Sequence, residues 1–291
     1  MLPSREGQGE GTDRRSGVVK LAGKVALITG TSPNIGGGIA EGLADEGAKV
    51  VCVDVNPDYA NGCANAIVKR DGQAIAVVCD VTHEGQVQAA VERAREAFGG
   101  VDILVNGAVI FNRKGVLDMP LEEWSRQLDI ILTGAFLCTK HVAQQMIAQG
   151  RKGSIINIVS TAGHQGEPWN VGYSTGKGAL LNFTRSVAME LAEYGIRVNS
   201  LTPTATDPTE GQERAARWGV TWNRPPRGQR QRYLSEPRLG APLRRLPSPR
   251  HYARAAVFLA SDDAEMVTGM DLRVDAGTGA RYWLWHPGEV G

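Results

Sequence analysis

The feature that most constrains the fold is a series of short apolar runs separated by longer segments of helical periodicity. The runs are rich in Val, Ile and Leu with little alternation, as expected of strands buried on both faces of a sheet. The seven runs are VALIT (25–29), VVCVD (50–54), AIAVVCD (74–80), VDILVN (101–106), SIINIVS (154–160), IRVNSL (196–201) and DLRVD (271–275).

The segments between these runs carry the spacing of amphipathic helices. Apolar residues recur at Ile35, Ile39 and Leu43, and a second series includes Val87 and Val91, which places each series on one helix face. Strands joined by helices predict parallel pairing, because right-handed crossovers cover both faces of the sheet. The fold class is therefore α/β: a single-domain Rossmann-type, doubly wound, parallel seven-stranded sheet with helices on both faces.

Charge and composition exclude several classes of function. Among the 291 residues, 32 Lys and Arg nearly balance 31 Asp and Glu, so the chain has no global field for nucleic acid or an anionic membrane. No apolar segment approaches the ~18 residues of a membrane span, and the four cysteines lack metal-ligand spacing. We expect a soluble cytoplasmic protein with buried reduced thiols, a small-molecule substrate, no nucleic acid, no membrane and no metal.

The ends and one internal segment differ in composition from the rest. Residues 1–20 are Gly-rich and charged, which predicts a disordered leader before a domain over 21–280.

Residues 204–250 contain ten arginines and, counting Pro203 at the start, eight prolines. We interpret this segment as a lid or insertion. The arginines are either a solvated basic loop or a site for an anionic substrate group. Residues 281–291 are apolar enough to predict packing at an interface.

A nucleotide site is indicated directly after the first apolar run. TGTSPNIGGGIA (29–40) is a glycine-rich turn that opens a helix, where backbone N–H groups can bind a pyrophosphate. Asp54 ends the second run, where a carboxylate can accept hydrogen bonds from ribose hydroxyls and repel a 2′-phosphate; alternatively it only caps a loop. The turn at 30–38 contains no Lys or Arg. NAD is therefore favoured over NADP.

These residues resemble the short-chain dehydrogenase/reductase family from about residue 21 to 277. The family's TGxxxGxG motif reads Thr29, Gly30, Asn34, Ile35 and Gly36 here, and Asn in place of the second glycine tolerates a left-handed backbone. The family's NNAG and NxxxPG motifs are only partly kept. The resemblance implies that the cofactor is bound by Gly30, Ser32, Asn34, Ile35, Gly36, Asp54, Asp80, Val81, Asn106, Gly107, Tyr173, Lys177 and Pro203.

The strongest chemical signal is a YxxxK pair, Tyr173 and Lys177, that follows Ser160 at the family's spacing. Tyr and Lys one helical turn apart face one groove, and a neighbouring ammonium favours the phenolate of a tyrosine whose ordinary pKa is near 10. In the family, Ser polarises the substrate oxygen, Tyr exchanges the proton, and Lys also binds the nicotinamide ribose. The resemblance implies an NAD(H)-dependent oxidoreductase that interconverts a secondary alcohol and a ketone.

One departure from the family weakens this interpretation. Ile131, in DIILTG (129–134), stands where relatives have an Asn that orders a relay water. An aliphatic side chain cannot order that water, so the proton relay is rerouted, slowed or absent. An NAD-binding regulatory or scaffold protein with weak or lost turnover is therefore an alternative. Enoyl reduction usually has a longer Tyr-to-Lys spacing, and position 179 is Ala rather than Lys; an epimerase needs a larger C-terminal domain.

Pocket residues are expected at strand ends and in the predicted lid. A fairly apolar, ring-shaped secondary alcohol or ketone fits them, although each Trp could instead pack in the core or at an interface, and His164 could be structural. The candidates are Val109, Ile110, His164, Trp169, Asn170, Thr204, Trp218 and Trp222. The family also forms a four-helix interface through the helix after Tyr173 and the helix before it, which implies a homo-oligomer, either dimer or tetramer.

Overall fold

A computed structural model describes residues 19–222 and 240–282 of the chain. In these residues the seven predicted apolar runs form one parallel sheet in the order β3-β2-β1-β4-β5-β6-β7. The strands are β1 (Val25–Thr29), β2 (Lys49–Asp54), β3 (Ala74–Val78), β4 (Ile103–Asn106), β5 (Gly153–Ile158), β6 (Ile196–Pro203) and β7 (Asp271–Val274). The predicted fold class is confirmed.

The register of the sheet creates the place for a site. Leu27 at the centre of β1 pairs with Val51 of β2 on one side and Leu104 of β4 on the other. The strand order reverses between β1 and β4, so the crossover helices leave in opposite directions. A crevice opens outside the carboxyl ends of these two strands, which is where open parallel sheets bind their ligands.

Helices cover both faces of the sheet. They are α1 (Ile35–Asp45), α2 (Pro57–Val68), α3 (Glu84–Phe98), α4 (Leu121–Leu128), α5 (Gly134–Ala148), α6 (Val171–Leu191), α7 (Thr209–Trp218) and α8 (Pro249–Ala260). A π-helical turn, Asp129–Thr133, joins α4 to α5, and the turn Thr161–Gly163 follows β5.

Each face has its own core. One contains Ile39 and Leu43 of α1 with Tyr252 of α8. The other contains Val87 of α3 and Val142 of α5. The two helical periodicities read from the sequence therefore correspond to the buried faces of α1 and α3.

The structure describes only part of the predicted leader, lid and tail. Residues 1–18 of the predicted leader, 223–239 of the predicted lid and 283–291 of the predicted tail lie outside the described residues. Lys20, placed in the leader from sequence, donates its backbone N–H to Glu46 at 3.2 Å. The predicted lid at 204–250 contains α7 and the start of α8. Within the described part of the chain, none of the helices has the length and apolarity needed to cross a membrane.

Candidate active site

A cavity of about 950 Å3 lies at the carboxyl ends of the strands. It brings together most of the residues predicted from sequence to hold a dinucleotide and all three predicted reacting residues. The lining includes Gly30, Ser32, Asn34, Ile35, Gly36, Asp54, Asp80, Val81, Gly107, Ser160, Tyr173, Lys177 and Pro203.

The glycine-rich turn at 30–36 is packed so closely that side chains are excluded at two positions. Gly30 has φ +75°, and a Cβ there would lie 2.8 Å from the carbonyl of Gly107. A Cβ on Gly36 would collide with the carbonyl oxygen of Gly30. Helix α1 begins at Ile35 without a side-chain cap from Asn34, so its N-terminus faces the cavity as an anion site.

Asn34 does not use the left-handed backbone that its substitution for glycine suggested. Its φ is −87°, a value open to any L-residue. The residue with positive φ in this turn is Gly30. The ψ of Asn34 is −124°, outside the usual α and β regions. The backbone at position 34 is therefore unusual in ψ and does not have the positive φ that the sequence suggested.

Asp54 ends β2 at the edge of the cavity. Its side chain is 8% exposed and accepts a hydrogen bond from the backbone N–H of Asn56 at 2.9 Å. Burial raises the pKa of Asp54 to about 6, although the N–H groups of Asn56 and Val55 act in the opposite direction. The carboxylate therefore titrates close to neutral pH, and it lies where a ribose hydroxyl could be accepted.

Asn106 is the one predicted cofactor residue that does not line the cavity. Its side-chain amide is buried and donates to Thr139 Oγ1 at 3.1 Å and to Asn157 Oδ1 at 2.9 Å. The neighbouring Gly107 does line the cavity, and its N–H donates to Thr29 Oγ1 at 3.1 Å. Asn106 thus braces the ends of β4 and β5 beneath the site instead of contacting its contents.

The three predicted reacting residues meet at one wall of the cavity. Ser160 follows β5, while Tyr173 and Lys177 lie one turn apart on α6. Ser160 lies near enough to Tyr173 to lower the pKa of its phenol, and the Lys177 Nζ lies 5.9 Å from the Tyr173 ring centroid. That Nζ donates to the carbonyl oxygen of Ile158 at 2.5 Å. Phe111 covers Tyr173, with ring centroids 4.6 Å apart.

Burial sets the proton affinities of this group. It raises the pKa of Tyr173 to about 12, opposed by the neighbouring Ser160 side chain, and it lowers the pKa of Lys177 to about 7. The sequence led us to expect that Lys177 would lower the pKa of Tyr173, but burial is the stronger effect and has the opposite sign. At neutral pH the phenol keeps its proton and can donate it, while Lys177 is close to its titration midpoint.

Ile131 lies in the π-helical turn between α4 and α5. It is 2% exposed and forms an apolar cluster with Val159, Tyr173 and Leu180. Its side chain packs against Gly176 of α6, where an added Cβ would lie 3.1 Å from the Ile131 Cγ2. The position therefore seals α6 against the turn and presents no polar group to Lys177.

The predicted substrate-pocket residues separate into two groups. Val109, Ile110, Asn170, Thr204 and Trp222 line the cavity. His164, Trp169 and Trp218 are not among the cavity residues.

Each of the three residues outside the cavity has another role. His164 Nε2 lies 3.1 Å from Asp271 Oδ2, which ties the turn after Ser160 to β7. Trp169 packs beside Gly115, and Trp218 packs on Gly37. These contacts join segments distant in sequence, so local patterns could not indicate them.

Several cavity residues were missed from sequence. Phe111 and Arg113 follow β4, Gln165 and Glu167 follow β5, and Tyr59 lies in α2. The first four lie just beyond the carboxyl ends of strands, so the rule that such loops line the site could have found them. Among the described residues, no group of three or more His, Cys, Asp or Glu is placed to hold a metal ion.

Comparison with known proteins agrees with this geometry. A family model described as enoyl-(acyl carrier protein) reductase matches residues 30–279. A crystal structure of a short-chain type dehydrogenase/reductase from Mycobacterium marinum is 33% identical, with TM-score 0.77 over 90% of this chain and 97% of its own. The chain belongs to the short-chain dehydrogenase/reductase family. It is therefore an oxidoreductase that acts on alcohol or ketone groups, in a family that uses a nicotinamide cofactor.

Two further relatives bear on the substrate and the cofactor. Galactitol 2-dehydrogenase of Agrobacterium fabrum is 36% identical over 89% of this chain and 98% of its own length. A gluconate 5-dehydrogenase from Burkholderia cenocepacia, crystallised with NADP and tartrate, is 30% identical with TM-score 0.78 over 91% of this chain and 98% of its own. Both names describe oxidation of a hydroxyl group on a polyhydroxylated compound.

Proposed function

We propose that this dehydrogenase interconverts a secondary alcohol and a ketone with NAD(H), using Ser160, Tyr173 and Lys177. The observation that carries the proposal is the convergence of these three side chains in a cavity that also contains the glycine-rich turn and Asp54. A nucleotide-binding end and a proton-transfer end share one cavity. That arrangement is what hydride transfer between a dinucleotide and an alcohol requires.

The residues present fit a dinucleotide. The close packing of Gly30 and Gly36 leaves backbone and the start of α1 facing the cavity for a pyrophosphate, and Asp54 stands at the ribose position of such folds. When bound, the nicotinamide ring supplies or accepts the hydride. The protein's own contribution is to orient that ring and the substrate and to move one proton.

The proton is carried by Tyr173. In ketone reduction the phenol donates its proton to the carbonyl oxygen as hydride reaches the carbon; in alcohol oxidation the same oxygen takes the hydroxyl proton back. Ser160 donates a hydrogen bond to the reacting oxygen and stabilises the charge that develops there. The positive charge of protonated Lys177 stabilises the phenolate left after donation.

The choice of NAD rests on Asp54. An ionised carboxylate accepts hydrogen bonds from both ribose hydroxyls and repels a 2′-phosphate. The Burkholderia cenocepacia relative was crystallised with NADP, so relatives of this fold differ in the cofactor they carry. The support for NAD is the carboxylate of this chain itself, at the end of β2.

We further propose that the substrate carries additional hydroxyl groups. The wall beside Tyr173 combines Phe111 with Arg113, Gln165 and Glu167, so it presents both hydrogen-bond donors and acceptors. The Arg113 guanidinium lies 5.8 Å from the centroid of the Phe111 ring, which itself packs on Tyr173. A polyol such as the substrate named for galactitol 2-dehydrogenase suits this wall better than the fairly apolar, ring-shaped substrate expected from sequence.

NADH absorbance at 340 nm tests the proposal. Wild type and Tyr173→Phe are compared over cyclic, aromatic, anionic and polyhydroxylated secondary alcohols with NAD or NADP. Turnover with NAD should fall at least about 100-fold in Tyr173→Phe. Tyr194→Phe should match wild type, because Tyr194 is an exposed tyrosine in the short turn that follows α6. Equal turnover in Tyr173→Phe would overturn the assignment.

The alternative of a regulatory protein that binds NAD without turnover depends on Ile131. Such a protein would bind NAD in calorimetry and convert no member of the panel. Ile131→Asn would then be compared with wild type: turnover gained by this variant would show that the missing amide is the cause. Turnover by the wild type removes the alternative.

Cellular location belongs to the same proposal. All four cysteines are buried, and burial raises the pKa of Cys79 to about 11, which keeps that thiol protonated and unreactive. Reduced buried thiols suit a cytoplasmic enzyme. We propose that location, which fractionation of source cells would test.

A further inference from the structure

Trp222, the fourth residue after helix α7, lies at one end of the cavity. Trp222 lines the cavity and packs on the first turn of α7, where its ring lies 2.8 Å from the position of an added Cβ on Gly211. The Asn34 Oδ1 lies 3.5 Å from the same position. Trp222 is therefore beside the glycine-rich turn.

Tyr59 of α2 completes this end of the cavity. Its hydroxyl donates to the carbonyl oxygen of Thr221 at 3.2 Å, which joins α2 to the residue before Trp222. Tyr59 and Asp54 both line the cavity, and burial together with the charge of Asp54 raises the pKa of Tyr59. Two aromatic residues thus border the part of the cavity that contains Asp54.

A buried ion pair holds α7 in this position. The Arg214 side chain is 4% exposed and donates to Glu41 of α1 at 3.1 Å. Its guanidinium also donates to the carbonyl oxygen of Pro33 at 3.0 Å and to Glu210 at 2.8 Å. One side chain therefore fastens α7 both to α1 and to the backbone of the glycine-rich turn.

Trp218 adds an apolar anchor at the end of α7. Its Nε1 donates to Glu41 at 3.1 Å, and its ring occupies space that a Cβ on Gly37 or Gly62 would take, with distances of 2.5 Å and 3.1 Å. The Trp218 indole thus packs against glycines of α1 and α2. The contacts of Arg214 and Trp218 fix the position of α7, and neither side chain takes part in the proposed reaction.

We propose that Trp222 and Tyr59 contact the adenosine half of the bound dinucleotide, and that the Glu41–Arg214 pair positions Trp222 for this contact. The inference rests on the proposed use of a dinucleotide. The part of the cavity that Trp222 shares with Asn34, Asp54 and Tyr59 is the ribose end, opposite Tyr173. Flat aromatic side chains bind purine rings by stacking without needing a specific hydrogen bond.

This assignment changes the role of the segment after β6. Its first part, with Pro203 and Thr204, lines the cavity, and Trp222, four residues after α7, lines the cavity beside the glycine-rich turn. A nucleotide covered by Trp222 leaves only after that contact is broken. Trp222 therefore governs cofactor affinity and dissociation rate, and substrate recognition remains with residues near Tyr173.

Binding measurements without turnover test the proposal. Titration calorimetry with NAD, AMP and nicotinamide mononucleotide compares wild type with Trp222→Ala. The affinity for NAD and AMP should fall about tenfold, since loss of one stacked aromatic has effects of this order, while any affinity for nicotinamide mononucleotide stays unchanged. Trp222→Phe keeps a flat ring and should recover most of the loss.

Trp124→Ala is the matched control, because Trp124 lies on α4 and is not among the cavity residues. Arg214→Met tests positioning: it should weaken AMP as Trp222→Ala does, and the double variant should lose no more than either single one. If Trp222→Ala does not fold, Trp222→Leu is compared with Trp222→Phe. Equal AMP affinity in the folded Trp222 variants and wild type overturns the inference; a wild type that binds no dinucleotide overturns the proposed function instead.

Discussion

Lys177 is a buried amine whose described hydrogen-bond acceptor is a neutral carbonyl oxygen, that of Ile158. Its ammonium form is therefore costly in the folded protein. Lys177→Met keeps the apolar stem and removes the charge, so it should raise the free energy of unfolding at pH 7 by about 1–3 kcal/mol while abolishing turnover. Thermal and urea unfolding measure the gain, and the 340 nm assay measures the loss.

The pH dependence of that gain has a definite sign. Burial lowers the pKa of Lys177 from its ordinary 10.5 to about 7 in the folded state, so between these values the unfolded chain binds a proton that the folded chain does not. The loss of stability caused by burying the charged Lys177 is therefore complete below pH 7 and declines as pH rises toward 10.5. The advantage of Lys177→Met should shrink accordingly, whereas the exposed Lys69→Met should show no such trend. A gain that is constant with pH would contradict this account.

Asp54 gives a second pH effect, on binding. Because burial raises its pKa to about 6, the carboxylate is largely protonated at pH 5 and ionised at pH 7. NAD affinity should rise several-fold across this range, since charge-assisted hydrogen bonds are the stronger ones, and preference over NADP should increase with it. In Asp54→Asn both quantities should be flat. Titration calorimetry at fixed ionic strength measures the NAD affinity at each pH. If the affinity of Asp54→Asn still rises with pH as in wild type, the effect belongs to another titrating group.

The convergence of the three side chains proposed to react was predictable because a short motif and the strand order place them independently. Ser160 after β5 and Tyr173 with Lys177 on α6 converge as their spacing indicated. Their proton affinities were not predictable, because burial depends on Phe111 and other neighbours that no local pattern marks. The position of Trp218 was not predictable for the same reason, because it packs against two glycines that lie more than 150 residues earlier in the chain.

The contacts between α7 and α1 allow a buried and an exposed ion pair to the same carboxylate to be compared. Arg214 and Arg217 each lie 3.1 Å from the Glu41 carboxylate, but their side chains are 4% and 50% exposed. Arg214→Ala should cost about 3 kcal/mol of unfolding free energy, since it removes the buried cation from the Glu41 carboxylate and leaves that carboxylate with its contacts to Arg217 and Trp218. Arg217→Ala should cost less than about 1 kcal/mol. Urea unfolding followed by circular dichroism measures the unfolding free energies of the two variants. Equal losses would show that burial does not determine how much each ion pair contributes to stability.

Elements were predictable wherever apolar pattern determines them. Strands buried on both faces read as continuous apolar runs, so all seven were found, although β6 extends to Pro203, two residues past its predicted end. Helix α7 was missed because its buried side includes Gly211 and Arg214. A helix held by charge pairs and a terminal indole has no apolar stripe to recognise, and the prolines and arginines around it suggested a loop instead.

The assembled molecule leaves apolar side chains exposed on the two helices through which we expect copies of the chain to associate. Phe136 and Ile147 of α5 are 48% and 41% exposed, and Met189 of α6 is 66% exposed. Phe136 and Ile147 are eleven residues apart, close to three turns, so they share one helix face. We propose that this surface on α5 and α6 pairs with a second copy around a two-fold axis.

A charged residue on this surface should break the pairing, because burying an unpaired guanidinium costs more than the contact supplies. Phe136→Arg should therefore lower the mass measured by light scattering relative to wild type, with the far-UV spectrum retained. Leu117→Arg is the matched control, since Leu117 is 93% exposed in the segment before α4 and lies outside this surface. A wild-type monomer refutes the proposal. Dissociation by Leu117→Arg with an unaffected Phe136→Arg also refutes it, because the interface would then lie at the segment before α4.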